Sequence, residues 1–182
     1  GRFAGIMFKT DDAGTPRSAF TQKNTRLHHN YIHDVDGEAH YIGHFTWGVD
    51  NGVASGYLAP ELWDTKIFRN KVVTCGNDGI QLGCGRYGSE IHDNDIQDAG
   101  FLGTGSQNSC LSINTGFEGH VYNNRCIPAP KGGSIVAQPT GNCYIYGNTF
   151  SGISAGIDGV YIISDVTTNP NIEVLVFNNT VL

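Results

Sequence analysis

The six residues Ile91-His92-Asp93-Asn94-Asp95-Ile96, IHDNDI, admit two readings. Two aspartates flank an asparagine, with Glu90 and Asp98 close by, and oxygen-rich runs of this kind suit calcium. The same residues also fit a frame, aliphatic-x-x-Asn-x-apolar, that makes no use of the acids. That frame recurs as LHHNYI (27–32), IFRNKV (67–72), VYNNRC (121–126), IYGNTF (145–150) and VFNNTV (176–181). Its asparagines, at 30, 70, 94, 124, 148 and 179, are spaced by 40, 24, 30, 24 and 31 residues. Asp93 then aligns with His29, Arg69, Asn123, Gly147 and Asn178, and Asp95 with Tyr31, Lys71, Arg125, Thr149 and Thr180. Free variation around a constant Asn marks outward, solvated positions. IHDNDI therefore reads as a corner of a repeat, and the repeat decides the fold.

A second motif falls between the Asn frames: DGIQLG (78–83), SCLSIN (109–114), GSIVAQ (133–138) and DGVYII (158–163), with weaker copies GIMF (5–8) and EAHYIG (38–43). Each is a short alternating run behind Gly or a small polar residue, as a strand after a turn should be. One repeat is thus a strand, a tight Asn turn, a second strand, a looser turn and a third strand. Such a unit cannot bury its apolar face alone, but stacked units can. Alternate strand residues point to opposite faces, so the aliphatic residue three before Asn and the apolar one two after can both point inward. Asn also tolerates left-handed backbone. Its amide is expected to bond the Asn of the next repeat, about 4.8 Å away, as an internal Asn ladder. Two residues before each Asn stands a ring: His28, Phe68, His92, Tyr122, Tyr146 and Phe177, a column able to stack along the axis.

Composition agrees. Among 182 residues there are 25 Gly and one Met, and only 15% are charged, against about 25% in an ordinary globular domain. Many short strands joined by turns follow, with no sustained helical periodicity, linker or low-complexity tract. The net charge of −6 argues against nucleic acid as a partner. No apolar run approaches the roughly 20 residues that cross a bilayer. Five cysteines (Cys75, Cys84, Cys110, Cys126, Cys143) show no C-x2-C zinc spacing. A Cys75–Cys84 loop and buried free thiols both fit them.

The repeat resembles that of right-handed parallel β-helix proteins of the pectin-lyase-like superfamily, over nearly the whole chain from Gly5 to Val181. The resemblance implies an all-β fold: a right-handed parallel β-helix solenoid of about six coils, residues 1–182 forming a single segment with an inserted loop at 45–64. It implies little about activity, because this scaffold hosts lyases, hydrolases, esterases, epimerases, adhesins and phage tail spikes. The chain starts in a strand-like run, stops inside the last repeat and lacks a capping helix. It is therefore expected to be part of a longer protein, or capped by neighbouring chains.

In the enzymes of the superfamily the substrate lies along the outer face of the GIxL strand. Here that face presents Met7, Lys9, Tyr41, Gln81, Ser112, Asn114, Gln138 and Tyr161, a polar and aromatic set that suits sugar. A lyase needs a strong base and a counter-ion such as calcium. A hydrolase needs paired carboxylates at a defined separation. The pectinase motifs are not reproduced, though GNDGIQLG faintly echoes one. No cofactor is firmly implied, calcium being the candidate, and no protein metal site is assigned.

Three clusters bear on chemistry. Five of the seven histidines lie within residues 28–44 beside Asp34, Asp36 and Glu38, and His33, Asp34, Asp36 and His40 fall at the turn into EAHYIG. His with carboxylates can run acid–base chemistry near neutral pH; the plainer reading is a ring stack plus solvated turns. Lys9 and Asp11, with Asp12 and Arg17, follow the first GIxL strand and resemble parts of a catalytic site, or an ordinary turn. The inserted loop holds Trp47, Tyr57 and Trp63, which read either as sugar platforms or as rings the loop buries for itself. The expectation is a secreted or cell-surface protein that binds or processes polysaccharide. A non-catalytic structural or adhesive solenoid of a surface filament or phage fibre is the alternative. An enzyme should bring the His/Asp cluster together with Lys9 or Asp11, whereas a structural module should disperse them.

Overall fold

The structure, a computed structural model, describes residues 3–10, 16–47, 59–105, 107–152, 158–163 and 171–182. Among these residues there is no helix, and the strands form three curled sheets in which every pairing is parallel. The GIxL motif forms one row of the largest, ten-stranded sheet: Ala4–Phe8, Glu38–Ile42, Ile80–Leu82 and Val160–Ile162, with the first parts of Ser109–Tyr122 and Gly133–Tyr146. The strands leading into the Asn turns form a second row: Arg26–His28, Lys66–Phe68, Ser89–His92, the last parts of the same two long strands, and Val174–Phe177. The strands leaving those turns form a six-stranded sheet, from Tyr31–Val35 to Thr180–Val181. A three-stranded sheet of Gln22–Lys23, Leu62–Trp63 and Gly85–Arg86 stands between the two rows early in the chain. It is an element the repeat did not announce. In the 14-residue strands Ser109–Tyr122 and Gly133–Tyr146 the two rows instead run together through irregular register around Phe117.

Local sequence explains the corner. The residue before each Asn, and not the Asn as expected, takes the left-handed backbone: His29, Arg69, Asp93, Asn123, Gly147 and Asn178 all have φ between 53° and 65°. The Asn side chain is thereby turned inward and along the stack. Asn94 Oδ1 accepts the backbone N–H and the Nδ2 of Asn70, both at 3.0 Å. Asn94 Nδ2 in turn donates to Asn124 Oδ1 at 2.9 Å and to the Ile67 carbonyl at 3.0 Å. The same pattern links Asn30 to Asn70, Asn124 to Asn148 and Asn148 to Asn179. A buried amide left unpaired would cost about 1–3 kcal/mol, so a fully paired ladder is the condition for burying asparagine.

On both sides of the ladder the frame packs as its alternation requires. Ile67, Ile91, Val121 and Ile145 are fully buried before the turn, and Val72, Ile96, Cys126 and Phe150 after it. Each such side chain contributes about 1.5–3 kcal/mol by leaving water. The ring column stacks outside, with centroids 4.7–5.1 Å apart from His28 to Phe177. All five cysteines are buried free thiols. Cys75 and Cys84 close no loop: their thiols donate to the carbonyls of Asn77 and His44.

Candidate functional site

The GIxL row places its outward residues in register. Met7, Tyr41, Gln81, Ser112, Val136 and Tyr161 face one another strand by strand. From Tyr41 to Tyr161 this column climbs four strand spacings, about 19 Å at the usual inter-strand distance. It forms the floor of a cavity of about 680 Å³. Tyr41 and Gln81 are buried in that floor, Tyr41 beneath Phe3 with ring centroids 5.5 Å apart. Phe3, Phe45 and Tyr161 rise around it with roughly half of each ring exposed. Carboxamides supply most of the polar wall: Gln81, Gln107, Asn108, Asn114 and Gln138. Apolar rings around a few convergent polar groups are the usual make-up of a ligand site.

Among the described residues, one carboxyl group belongs to this wall. Asp78 sits in the turn that opens the Ile80–Leu82 strand, and its Oδ1 accepts the Ser109 N–H at 2.8 Å. Its Oδ2 is buried without a partner. Burial pushes Asp78 up to about 7; the Ser109 N–H and the Ser112 hydroxyl oppose that rise and the neighbouring Glu38 adds to it. Glu38, one repeat earlier, is itself fully buried, and burial likewise raises its pKa against the opposing pull of its own backbone N–H and the Asn77 side chain. Asp78 can therefore hold or release a proton near neutral pH. The sequence placed Glu38 only beside the histidine cluster and gave Asp78 no role beyond opening the DGIQLG strand. The signal was the alignment of DGIQLG with EAHYIG, which sets the two acids at matching positions where adjacent strands of the row begin.

The other candidates lie elsewhere. His33 is exposed on the six-stranded sheet, stacked on Tyr31, with Nδ1 2.9 Å from Asp34 Oδ2. Asp34 is exposed with left-handed backbone, and Asp36 is exposed in the following turn. His40 belongs to the large sheet, in the inward column Ile6–His40–Ile80–Leu111–Ile135–Val160. It is fully buried, its Nε2 is unpartnered and burial lowers its pKa to about 4, so the ring is neutral. Lys9 is exposed, its ammonium 5.9 Å from the centre of the Tyr41 ring. The structure therefore does not bring the His/Asp cluster together with Lys9. Asp11 and Tyr57, with most of the inserted loop, lie outside the described residues.

Trp47 and Trp63 are tied to one acid. Glu61 accepts Trp47 Nε1–H at 2.9 Å on one oxygen and Trp63 Nε1–H at 2.8 Å on the other. The Arg17 guanidinium lies 4.4 Å from the Trp47 ring and donates to the carbonyls of Ala59 and Trp47. Gly116, at φ 86°, lets the indole approach, since a Cβ there would meet Trp47 Cδ1 at 2.5 Å. Trp63 also lies under the ammonium of Lys23 and edge-on to Tyr87. Both rings stand outside the cavity wall. Asp93 and Asp95 diverge as well: Asp93 pairs with His92 at 2.9 Å, and Asp95 with Arg125 at 2.7 Å.

Comparison of the chain with protein-family models, with curated proteins and with solved structures finds no match in any of the three.

Proposed function

We propose that the chain is a right-handed parallel β-helix segment of about six coils, from a secreted or cell-surface protein, and that it binds polysaccharide along the outward face of its GIxL row. All-parallel pairing with a six-member Asn ladder supports the helical winding, and parallel crossovers are right-handed in about 98% of cases. The observation that carries the functional reading is the cavity of about 680 Å³, where half-exposed rings stand around a carboxamide wall. Ring faces suit the apolar faces of sugars, and carboxamides suit their hydroxyls, since both donate and accept. If the bound chain is also processed, Asp78 is the group in the wall able to move a proton near neutral pH.

A specific observation favours the structural or adhesive reading as second choice. His33, Asp34 and His40 are dispersed over two sheets, with His40 in the core, as a non-catalytic solenoid would have them. One screen separates the two. The protein is titrated with neutral and acidic polysaccharides, with and without calcium, while binding, reducing ends and unsaturated products are followed. Binding that Tyr161→Ala weakens supports the cavity. Absence of binding to every glycan overturns this reading in favour of the structural one.

A further inference from the structure

We infer, resting on the polysaccharide reading, that the cavity takes an uncharged glycan and rejects uronates and other acidic polysaccharides. An acidic sugar must surrender the hydration of its carboxylate on entering a concave site. That costs several kcal/mol unless a cation or several donors replace the water. Among the described residues that line the cavity there is no Lys, Arg or His, and the one charged type is Asp78, an acid. Lys9 is outside the wall, with its ammonium against the Tyr41 ring. An adjoining depression of about 190 Å³ contains Lys131, but Asp158 lines it too, so it adds no net positive charge.

The remaining polar groups are matched to hydroxyls. A carboxamide offers two donors and an acceptor oxygen, and a sugar hydroxyl is also both donor and acceptor. Five carboxamides in one wall can satisfy a hydroxyl-rich chain in either sense without any ion pair. Ser112 is already oriented within this network, its hydroxyl donating to Asn114 Oδ1 at 3.2 Å. The acid in the wall supplies no counter-charge either: Asp78 is never positive, and whatever fraction of it is ionised places like charges beside a sugar carboxylate in a partly desolvated site.

The test is calorimetric titration of the protein at pH 7 with neutral hexasaccharides (gluco-, galacto- and mannohexaose) and with hexagalacturonate, at low and moderate salt. A neutral oligosaccharide is expected to bind at least about tenfold tighter than the uronate. Its affinity should change less than about twofold with salt, because no exposed ion pair is involved. In Gln138→Lys the uronate should gain affinity while the neutral ligand loses it. Hexagalacturonate binding the unaltered protein as tightly as any neutral ligand would overturn the inference and leave the polysaccharide reading standing. Failure of every oligosaccharide would overturn both.

Discussion

Asp78 Oδ1 accepts the Ser109 backbone N–H at 2.8 Å across the boundary between two repeats, while Oδ2 is buried with no partner. This half-satisfied carboxyl stands between fold and site, since it joins adjacent strands and also lines the cavity. An acid in that position is held toward its neutral form, and this has a consequence for stability.

With its pKa at about 7 in the folded chain against 3.8 ordinarily, Asp78 binds its proton more tightly folded than unfolded. Its contribution is complete below about pH 4 and is lost as pH rises through 7. Asp78→Asn keeps an oxygen for the Ser109 N–H and cannot ionise. The variant should therefore be more stable than the parent at pH 8, by up to a few kcal/mol, with the difference shrinking toward pH 4. Urea unfolding across that range measures it; a difference that grows on acidification would refute the assignment.

His40 has the opposite sign. Its pKa falls from 6.5 to about 4 through burial, so the unfolded chain takes up the proton first, and stability is lost as pH falls from 6.5 toward 4. Replacement by Ile matches the Ile6 and Ile80 neighbours of the column and removes the unpartnered Nε2. The Gly79 carbonyl keeps its bond from the residue 40 backbone N–H. His40→Ile is expected to gain about 1–3 kcal/mol near pH 5 and to flatten the acid limb of the stability curve. Loss of stability at that pH would show that the 3.4 Å contact of His40 Nδ1 with the Gly79 carbonyl, or a partner at Nε2, outweighs the cost of burying the ring.

Asn94 and Asn30 test the ladder. Asn94→Ala takes the acceptor from the Asn70 N–H and a donor from the Ile67 carbonyl, and leaves Asn70 Nδ2 with the Leu27 carbonyl alone, at roughly 1–3 kcal/mol for each buried group left unpaired. Asn30 is only half-buried and gives one ladder contact, to Asn70. Chemical denaturation should rank Asn94→Ala well below Asn30→Ala, and equal losses would contradict an internal ladder.

Arg69 carries a left-handed backbone, φ 53°, without being Gly or Asn. An L-residue with a Cβ pays about 1–2 kcal/mol for that conformation, and Asn pays less. Arg69→Asn should raise the midpoint of thermal unfolding by a few degrees; an unchanged midpoint would mean that the arginine gains elsewhere what its backbone loses.

Tyr161 and Trp47 separate site from scaffold. Tyr161 is half-exposed at the cavity, so Tyr161→Ala should weaken glycan binding about tenfold with stability nearly unchanged. Trp47→Phe removes one of the two indole donors to Glu61 and should cost about 1–3 kcal/mol of stability while binding persists. The reverse pattern in paired unfolding and titration experiments would move the site to the inserted loop.

The sequence alone determined the parallel stacking, the asparagine ladder and the ring column, because each is the same local frame laid over itself at one strand spacing. Asn94 recurs where Asp93 and Asp95 vary, so repetition told architecture apart from acid. The outward face of the GIxL row was legible for the same reason, since a period of two sorts Tyr41 and Gln81 from their neighbours. That alternation already placed His40 inward, had EAHYIG been set against DGIQLG. Other features waited for the tertiary structure because they depend on contacts between residues far apart in the chain. Glu61 gathers both tryptophans away from the cavity, and Phe3 and Phe45 join a wall built from later repeats. The turn residue Asp78 became a buried, half-paired acid only when the Ser109 strand closed over it. Burial and pairing set the chemistry of a carboxyl group, and a local motif carries neither.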